Sequence, residues 1–176
     1  MAVERIYLVG FMGVGKSTIG KKLAHKLNFK FIDLDDIFEE KYKISIDSFF
    51  QKYDEKLFRK MEHDLLLSTF DKTNVVVSTG GGTPCYYDAM DKINRAGVSI
   101  YIKMLPSSIA YRLSEAKRKR PLIGDMKNQE LLDFITKSLK KREPVYKKAL
   151  MHVNGLHINI EELVEKLEKE FKASLI

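Results

Sequence analysis

The glycine-rich segment Gly10–Ser17, which reads GFMGVGKS, constrains the fold of this chain more than any other feature. It follows the apolar run Ile6–Val9, which is typical of a buried parallel strand. After it, a helix is predicted from Lys16 to Leu27, because Ile19, Leu23 and Leu27 recur every four residues, which is helical spacing. The pattern G-x-x-x-x-G-K-[ST] between a strand and a helix is the phosphate-binding loop of nucleotide-binding proteins. Four fixed positions match by chance in under about one chain in a hundred of this length, so the segment predicts nucleotide binding.

Each part of this loop has an expected task. Backbone N–H groups of the loop surround phosphate oxygens, and the following helix directs its positive dipole end to the same place. Lys16 is expected to face solvent and reach the β- and γ-phosphates of ATP, and the Ser17 hydroxyl is expected to ligate Mg²⁺. The loop residues predicted to bind ATP are Gly13, Val14, Gly15, Lys16, Ser17 and Thr18.

Short apolar runs alternate with helical segments along the rest of the chain. Further strands are predicted at Phe31–Ile32, Val75–Val77, Val98–Ile102 and, weakly, His152–Val153. This alternation predicts a three-layer α/β/α fold around a mostly parallel, five-stranded sheet. No internal repeat or interdomain linker is visible, so residues 1–176 are expected to form one P-loop domain.

Further helices are expected between and after these strands, including one through Ile109 and Leu113. Ile46–Phe50 and Phe58–Phe70 read as helices, the second with Leu65, Leu66 and Leu67 facing inward. A long helix is expected over about 129–150, interrupted near Pro144. Asn159 is the expected N-cap of a closing amphipathic helix.

The segment 115–128 is polar and basic, contains Pro121 and Gly124, and lacks a sustained period. Such a segment is typical of an exposed mobile loop. We expect it to act as a lid.

Two aspartates, Asp33 and Asp35, follow the second predicted strand. Residues two apart in an extended segment point to the same side, so both carboxylates can face the γ-phosphate. One can hold Mg²⁺ through water, and the other can orient an acceptor hydroxyl or take its proton. A solvated acidic start of a helix at Asp36 explains the pattern equally well.

Two further groups stand out, each with an ordinary alternative. Arg59 and Glu62 lie three apart on one helical face, a spacing that also fits a simple surface ion pair. The glycines Gly80–Gly82 follow a strand and suggest a ligand packed against bare backbone, although a tight turn is the alternative.

Composition and charge limit the classes of partner that we expect for this chain. The formal net charge of +7 favours an anionic ligand, but no nucleic-acid-binding motif accompanies it, so no nucleic acid partner is expected. No apolar run approaches the ~20 residues that span a bilayer, and Cys85 is the single cysteine. We therefore expect a cytoplasmic monomer without a membrane partner.

Taken together, six motifs resemble the shikimate kinase family in order and approximate spacing over about residues 5–154. They are the loop Gly10–Ser17, Asp33-x-Asp35, Phe58-Arg59-x-x-Glu62, Ser78–Gly82, Arg120-Pro121-Leu122 and Arg142-x-Pro144-x-Tyr146. The resemblance implies ATP-dependent phosphorylation of the shikimate 3-hydroxyl with Mg²⁺, giving shikimate 3-phosphate and ADP.

The resemblance also implies roles for individual residues. Lys16, Asp35 and Arg120 would be catalytic, with Arg120 in the lid and in reach of ATP. Ser17 and, through water, Asp33 would hold the metal. Arg112 would lie near the adenine. The residues implied to hold shikimate are Asp35, Arg59, Gly81, Gly82 and Arg142.

The chain departs from the family where Lys43 and Asp54 stand at positions that often carry glycine. Both lie in residues 36–62, which the resemblance implies to be a substrate-side helical region. The adenine-side stretch 152–158 also lacks an arginine that some members carry. Alternatives are another small-metabolite kinase such as gluconate kinase, a nucleoside monophosphate kinase, or a catalytically silent nucleotide-binding module. Gluconate would not require this combination of Asp, Arg and three glycines, and no base-recognition pattern is evident.

Overall fold

The computed structural model describes residues 3–116, 126 and 128–171. Within them the chain forms one sheet of five strands, all parallel. The strands are β1 (Arg5–Val9), β2 (Lys30–Asp33), β3 (Val75–Ser78), β4 (Val98–Lys103) and β5 (Met151–Asn154). Their order is β2-β3-β1-β4-β5, so β1 lies at the centre. The predicted five-stranded α/β architecture is confirmed.

Helices connect and cover the strands. They are α1 (Lys16–Leu27), α2 (Leu34–Tyr42), α3 (Ile46–Lys52), α4 (Glu55–Leu67), α5 (Ala89–Ala96), α6 (Pro106–Ser114), α7 (Asn128–Tyr146) and α8 (Ile160–Phe171). A short 3₁₀ turn spans Thr83–Cys85. Helix α1 packs on β2 and β3 and carries α8 on its outer side, while α5 packs on β4 and α6 on α7. None of the described helices combines the length and apolar character needed to cross a bilayer.

The core forms because the central strands are apolar on both faces. Ile6–Val9 of β1 and Val75–Val77 of β3 are buried throughout. Continuous apolar runs of this kind are typical of parallel strands covered by helices on both sides. Helix α1 contributes Leu23 to the same core, at the expected four-residue spacing.

Both ends of helix α4 differ from the sequence expectation. Helix α4 begins at Glu55, because the Asp54 side chain caps it by accepting a hydrogen bond of 2.7 Å from Leu57 N. It ends at Leu67, whose side chain is exposed, so the inward orientation expected for Leu67 is wrong while Leu65 and Leu66 are buried. Asn159 does cap α8, with its Oδ1 accepting from Glu161 N at 2.9 Å.

Helix α7 continues through Pro144 and ends at Tyr146, whereas an interruption near the proline and an end near Leu150 were expected. Pro144 has no backbone N–H and cannot donate a hydrogen bond to the carbonyl four residues earlier. Because the helix ends two residues later, at Tyr146, the loss is confined to its last turn.

Asp54 and Lys43, which stand where the family often has glycine, differ in backbone conformation. Asp54 has φ −82°, which any residue adopts, and its side chain supplies the α4 cap. Lys43 ends α2 with φ 53°, in the left-handed region where glycine is favoured. Lys43 therefore adopts a backbone conformation that favours glycine, although it carries a side chain.

The topology gathers the sequence motifs at one edge of the sheet. The glycine-rich loop follows β1, Asp33 ends β2, and Gly80–Gly82 follow β3. These are the carboxyl ends of three adjacent parallel strands. Ligands in open α/β sheets bind outside such ends, where the strand order reverses.

Candidate active site

The side chain of Lys16 lies against the backbone of the glycine-rich loop. Gly15 has φ 97°, a conformation that a side chain would strain, and α1 begins at the next residue. The Lys16 ammonium donates hydrogen bonds of 3.0 Å to Gly10 O and 2.9 Å to Phe11 O. Only 8% of Lys16 is exposed, so the expected solvent-facing lysine is wrong. Its charge lies inside the loop, where phosphate oxygens would be held.

Ser17 and Asp33 connect the loop to the end of β2. Ser17 Oγ donates a hydrogen bond of 2.6 Å to Asp33 Oδ2. The other carboxylate oxygen of Asp33 accepts from Asp35 N at 3.1 Å and caps α2. Asp35 therefore stands in the first helical turn, and the extended segment expected for the Asp33–Asp35 pair is wrong. Both residues nevertheless line one pocket.

That pocket has a volume of about 450 Å³. It contains every residue for which a substrate contact was expected: Asp35, Arg59, Gly81, Gly82 and Arg142. Ser17 and Asp33 also line it, so the pocket meets the loop at this pair. Sequence reasoning gave no individual role to several other lining residues, which are Met12, Lys21, Asp36, Glu39, Ser45, Ile46, Asp47, Phe50 and Phe58. Most come from α2 and α3, within the helical region 36–62 that was expected on the substrate side.

Arg59 is held by two carboxylates with different exposure. Its Nη1 donates to Glu62 Oε2 at 2.8 Å, and Nε and Nη2 donate to Glu55 Oε1 at 3.1 and 3.0 Å. The side chains of Arg59 and Glu62 are 5% and 6% exposed, so this is a buried ion pair and the surface-pair alternative is wrong. Burial alone would lower the pKa of Arg59, but the attraction of Glu62 and Glu55 raises it. The guanidinium is therefore permanently charged.

Glu62 is anchored in turn by Thr83, whose Oγ1 donates a hydrogen bond of 2.6 Å to Glu62 Oε1. Both Glu62 oxygens thus accept hydrogen bonds from buried groups. Breaking a buried ion pair of this kind by removing one partner typically costs about 3–5 kcal/mol.

The three glycines give room to neighbouring protein groups. A Cβ at Gly82 would lie 2.6 Å from Cζ, Nη1 and Nη2 of Arg59, so the guanidinium lies flat against the Gly82 backbone. A Cβ at Gly80 would collide with Glu62. The Gly81 carbonyl accepts a short hydrogen bond from the Tyr146 hydroxyl. Close packing by Glu62 at Gly80 and by Arg59 at Gly82 leaves no room for a side chain, whereas a Cβ at Gly81 would lie 3.2 Å from Met12 N of the glycine-rich loop.

Arg142 reaches the pocket from α7, more than 80 residues beyond Arg59 in the chain. Its Cζ lies 5.6 Å from the centroid of the Phe11 ring, which places the cation over an aromatic face. Arg142 makes no ion pair with any described residue, in contrast to Arg59. Tyr146, one turn later, is held neutral because burial raises its pKa.

Arg112 lies on the opposite side of the loop, on α6. Its Nη1 donates to Val14 O and its Nη2 to Gly155 O, both at 3.2 Å. Arg112 therefore joins the glycine-rich loop to the segment after β5. Its expected position beside the adenine remains a prediction.

Two expectations fall partly or wholly beyond what the structure describes. Arg120 and most of the predicted lid, 115–128, lie outside the described residues. Among the described residues, no group of three or more His, Cys, Asp or Glu side chains is arranged to hold a metal ion. The Ser17–Asp33 pair supplies oxygen ligands of the type that Mg²⁺ prefers, and such sites commonly complete the ion's shell with phosphate oxygens and water.

Known proteins resemble this chain over nearly its whole length. The family model for shikimate kinase matches residues 12–172. A shikimate kinase of Bacteroides thetaiotaomicron is 40% identical over 169 residues, covering 94% of this chain and 97% of the relative. A crystal structure of the shikimate kinase from that organism aligns with a TM-score of 0.90 at 39% identity, covering 97% of this chain and 99% of that chain.

Two more distant structures differ in how closely they resemble this chain. The shikimate kinase from Acinetobacter baumannii, solved in complex with shikimate, is 27% identical with a TM-score of 0.85, and the alignment covers 99% of this chain and 96% of that chain. A gluconokinase from Sinorhizobium meliloti is 17% identical with a TM-score of 0.58, and it covers 93% of this chain and 88% of that chain. At this identity the likeness to the gluconokinase is one of fold alone.

Proposed function

The chain belongs to the shikimate kinase family, and we propose that shikimate receives the phosphoryl group in the pocket beside the glycine-rich loop. Membership of this family makes the chain an ATP-dependent kinase of the shikimate pathway. The observation that carries this proposal is the convergence of five residues from distant parts of the chain on one pocket. They are Asp35, Arg59, Gly81, Gly82 and Arg142.

The chemistry of shikimate suits this pocket. A ring that bears one carboxylate and three hydroxyl groups needs cations for the first and acceptors for the others. Arg59 and Arg142 supply two guanidinium groups, and Arg59 is already oriented by Glu55 and Glu62. A guanidinium has five N–H groups, and the described contacts of Arg59 use three, so two can face a carboxylate.

Asp35 is the group that we assign to the acceptor hydroxyl. It is half-buried and stands two residues beyond Asp33, which contacts Ser17. A carboxylate in hydrogen-bond reach of the 3-hydroxyl can orient it towards the γ-phosphate or take its proton. We therefore assign Lys16, Asp35 and Arg120 to catalysis, the last on the sequence motif alone.

ATP is assigned to the glycine-rich loop. Gly13, Val14 and Gly15 precede α1, and Lys16, Ser17 and Thr18 begin it, so phosphate oxygens would meet the N-terminal N–H groups of this helix. Arg112 contacts the loop at Val14 and is assigned to the adenine side. The ammonium of Lys16 offsets charge on the phosphate oxygens as the γ-phosphoryl group moves.

Mg²⁺ fits the oxygen pair formed by Ser17 and Asp33. We assign Ser17 as a direct ligand and Asp33 as a contact through water. When bound, the ion neutralises negative charge on the β- and γ-phosphates of ATP. The enzyme is further proposed to act as a monomer in the cytoplasm, with segment 115–128 closing over both substrates to exclude water.

An acceptor panel tests the proposed function. The parent enzyme is given ATP and Mg²⁺ with shikimate, with gluconate or with a nucleoside monophosphate, and release of ADP is followed. We expect ADP release well above the rate without acceptor only with shikimate. Equal or faster release with gluconate or a nucleotide would refute the assignment of the pocket to shikimate.

A further inference from the structure

Tyr86 contacts the Arg59 guanidinium from outside the pocket. The centre of the Tyr86 ring lies 4.8 Å from Arg59 Cζ, within the range of a cation–π contact. The Tyr86 hydroxyl also donates a hydrogen bond of 3.1 Å to Glu55 Oε1. The same Glu55 oxygen accepts from Arg59 Nε and Nη2. Tyr86, Glu55 and Arg59 therefore form a closed set of mutual contacts.

Glu55 alone is a weak support for Arg59. The Glu55 side chain is 53% exposed, and ion pairs at such positions contribute little because water and salt screen them. A second donor on the same oxygen and an aromatic ring beside the guanidinium restrict both partners. With Gly82 against the guanidinium as well, rotation of the Arg59 head group is limited by contacts from several sides.

The backbone after Tyr86 is held in an unfavourable conformation. Tyr87 and Asp88 both lie in the left-handed region, with φ of 54° and 55°, although neither is glycine. Contacts on either side stabilise this turn: Ala89 N donates to Tyr86 O at 3.0 Å, and the Tyr87 ring lies 5.2 Å from the His63 ring. Strained backbone of this kind persists where surrounding contacts determine it, and it often accompanies binding sites.

We propose that Tyr86 is a positioning residue for the acceptor site, which holds the Arg59 guanidinium, directly and through Glu55, in the orientation that receives the carboxylate of shikimate. The inference rests on the proposed function, in which Arg59 binds that carboxylate. Tyr86 is not among the residues that line the pocket, so we assign it no contact with the substrate. Its effect is confined to how well Arg59 is oriented.

Two substitutions separate the ring from the hydroxyl. Tyr86→Phe keeps the ring over Arg59 and removes the hydrogen bond to Glu55, so we expect the KM for shikimate to rise about 3-fold. Tyr86→Ala removes both contacts, and we expect a rise of about 10-fold or more. The KM for ATP should stay within about 2-fold of the parent in both variants, a split that general loss of structure would not produce.

Tyr87→Phe is the matched control. It also removes an exposed tyrosine hydroxyl from the same turn, but that hydroxyl makes no hydrogen bond to any described residue. We expect both KM values of this variant to match the parent. A rise in its KM for shikimate equal to that of Tyr86→Phe would overturn the proposal, because the effect would then belong to the turn in general.

A double-mutant cycle with Arg59→Ala decides whether Tyr86 acts through Arg59. We expect Tyr86→Ala to have no further effect on the KM for shikimate once Arg59 is alanine. Two outcomes would overturn the role of Tyr86 and leave the assignment of Arg59 intact. One is that the effects of the two substitutions are fully additive, and the other is that the KM for shikimate is normal in Tyr86→Ala but raised in Arg59→Ala. An unchanged KM in Arg59→Ala itself would overturn both this inference and the assignment of Arg59 to the carboxylate.

Discussion

Ser17 Oγ lies 2.6 Å from Asp33 Oδ2, which joins the first turn of α1 to the carboxyl end of β2. This contact brings together two residues that belong to separate motifs in the sequence. It also lies where the glycine-rich loop meets the acceptor pocket, since both residues line that pocket. The pair therefore joins the proposed ATP loop to the proposed acceptor pocket.

Asp33→Asn is expected to weaken the response to Mg²⁺. Asparagine is as good an N-cap as aspartate, so α2 should remain intact, while the negative charge beside Ser17 is lost. We expect the Mg²⁺ concentration for half-maximal activity to rise about 10-fold or more, as is typical for groups that orient a metal. The measurement is a Mg²⁺ titration of the rate at fixed ATP. The control is Asp64→Asn on the exposed face of α4, and a Mg²⁺ response of Asp33→Asn equal to that of this control contradicts the assignment.

Asp35→Asn is expected to lower kcat more than it changes ATP binding. The amide keeps the shape of the side chain but cannot take a proton from the acceptor hydroxyl. General-base catalysis contributes about 10²–10⁴-fold, so we expect kcat to fall by about 100-fold or more with the KM for ATP within about 2-fold. Steady-state rates with both substrates varied give these values. A kcat close to that of the parent would remove Asp35 from the chemical step.

Much of the fold could be predicted from the sequence because local signals and long-range packing agree there. Helix α1 has the predicted bounds, Lys16–Leu27, since the loop before it and the apolar spacing within it both favour a helix. The start of α4 was missed because the capping role of Asp54 depends on a hydrogen bond to Leu57 N. The end of α7 was missed because a proline in a final turn is compatible with a helix.

The site was less predictable where contacts join distant residues. The convergence of Asp35, Arg59 and Arg142 could be expected only through the family resemblance. The contact between Glu55 and Tyr86 spans 31 residues and leaves no periodic signal. The burial of Lys16 depends on how its flexible side chain folds back onto Gly10 O and Phe11 O, which residue types alone do not determine.

Lys43→Gly is expected to stabilise the protein. Lys43 has φ 53°, where a side chain is unfavourable by ~1–2 kcal/mol, and glycine relieves this at a smaller cost in the entropy of the unfolded chain. We expect the free energy of unfolding to rise by ~0.5–1 kcal/mol, measured by urea denaturation. Lys41→Gly, two residues earlier and inside α2, is the matched control and should lower it by ~1 kcal/mol. Destabilisation by Lys43→Gly would show that the Lys43 side chain contributes more than its backbone conformation costs.

The binding of shikimate to Arg142→Ala tests the central claim most directly, and calorimetric titration measures it without turnover. Losing one charged partner of a desolvated carboxylate costs ~2–5 kcal/mol, so we expect the Kd for shikimate to rise about 30-fold or more. ATP should bind much as it does to the parent, and Lys141→Ala, which removes an exposed cation from the adjacent position of α7, should leave the Kd for shikimate within about 2-fold. An Arg142→Ala enzyme that binds shikimate as tightly as the parent would place the acceptor carboxylate elsewhere and contradict the account.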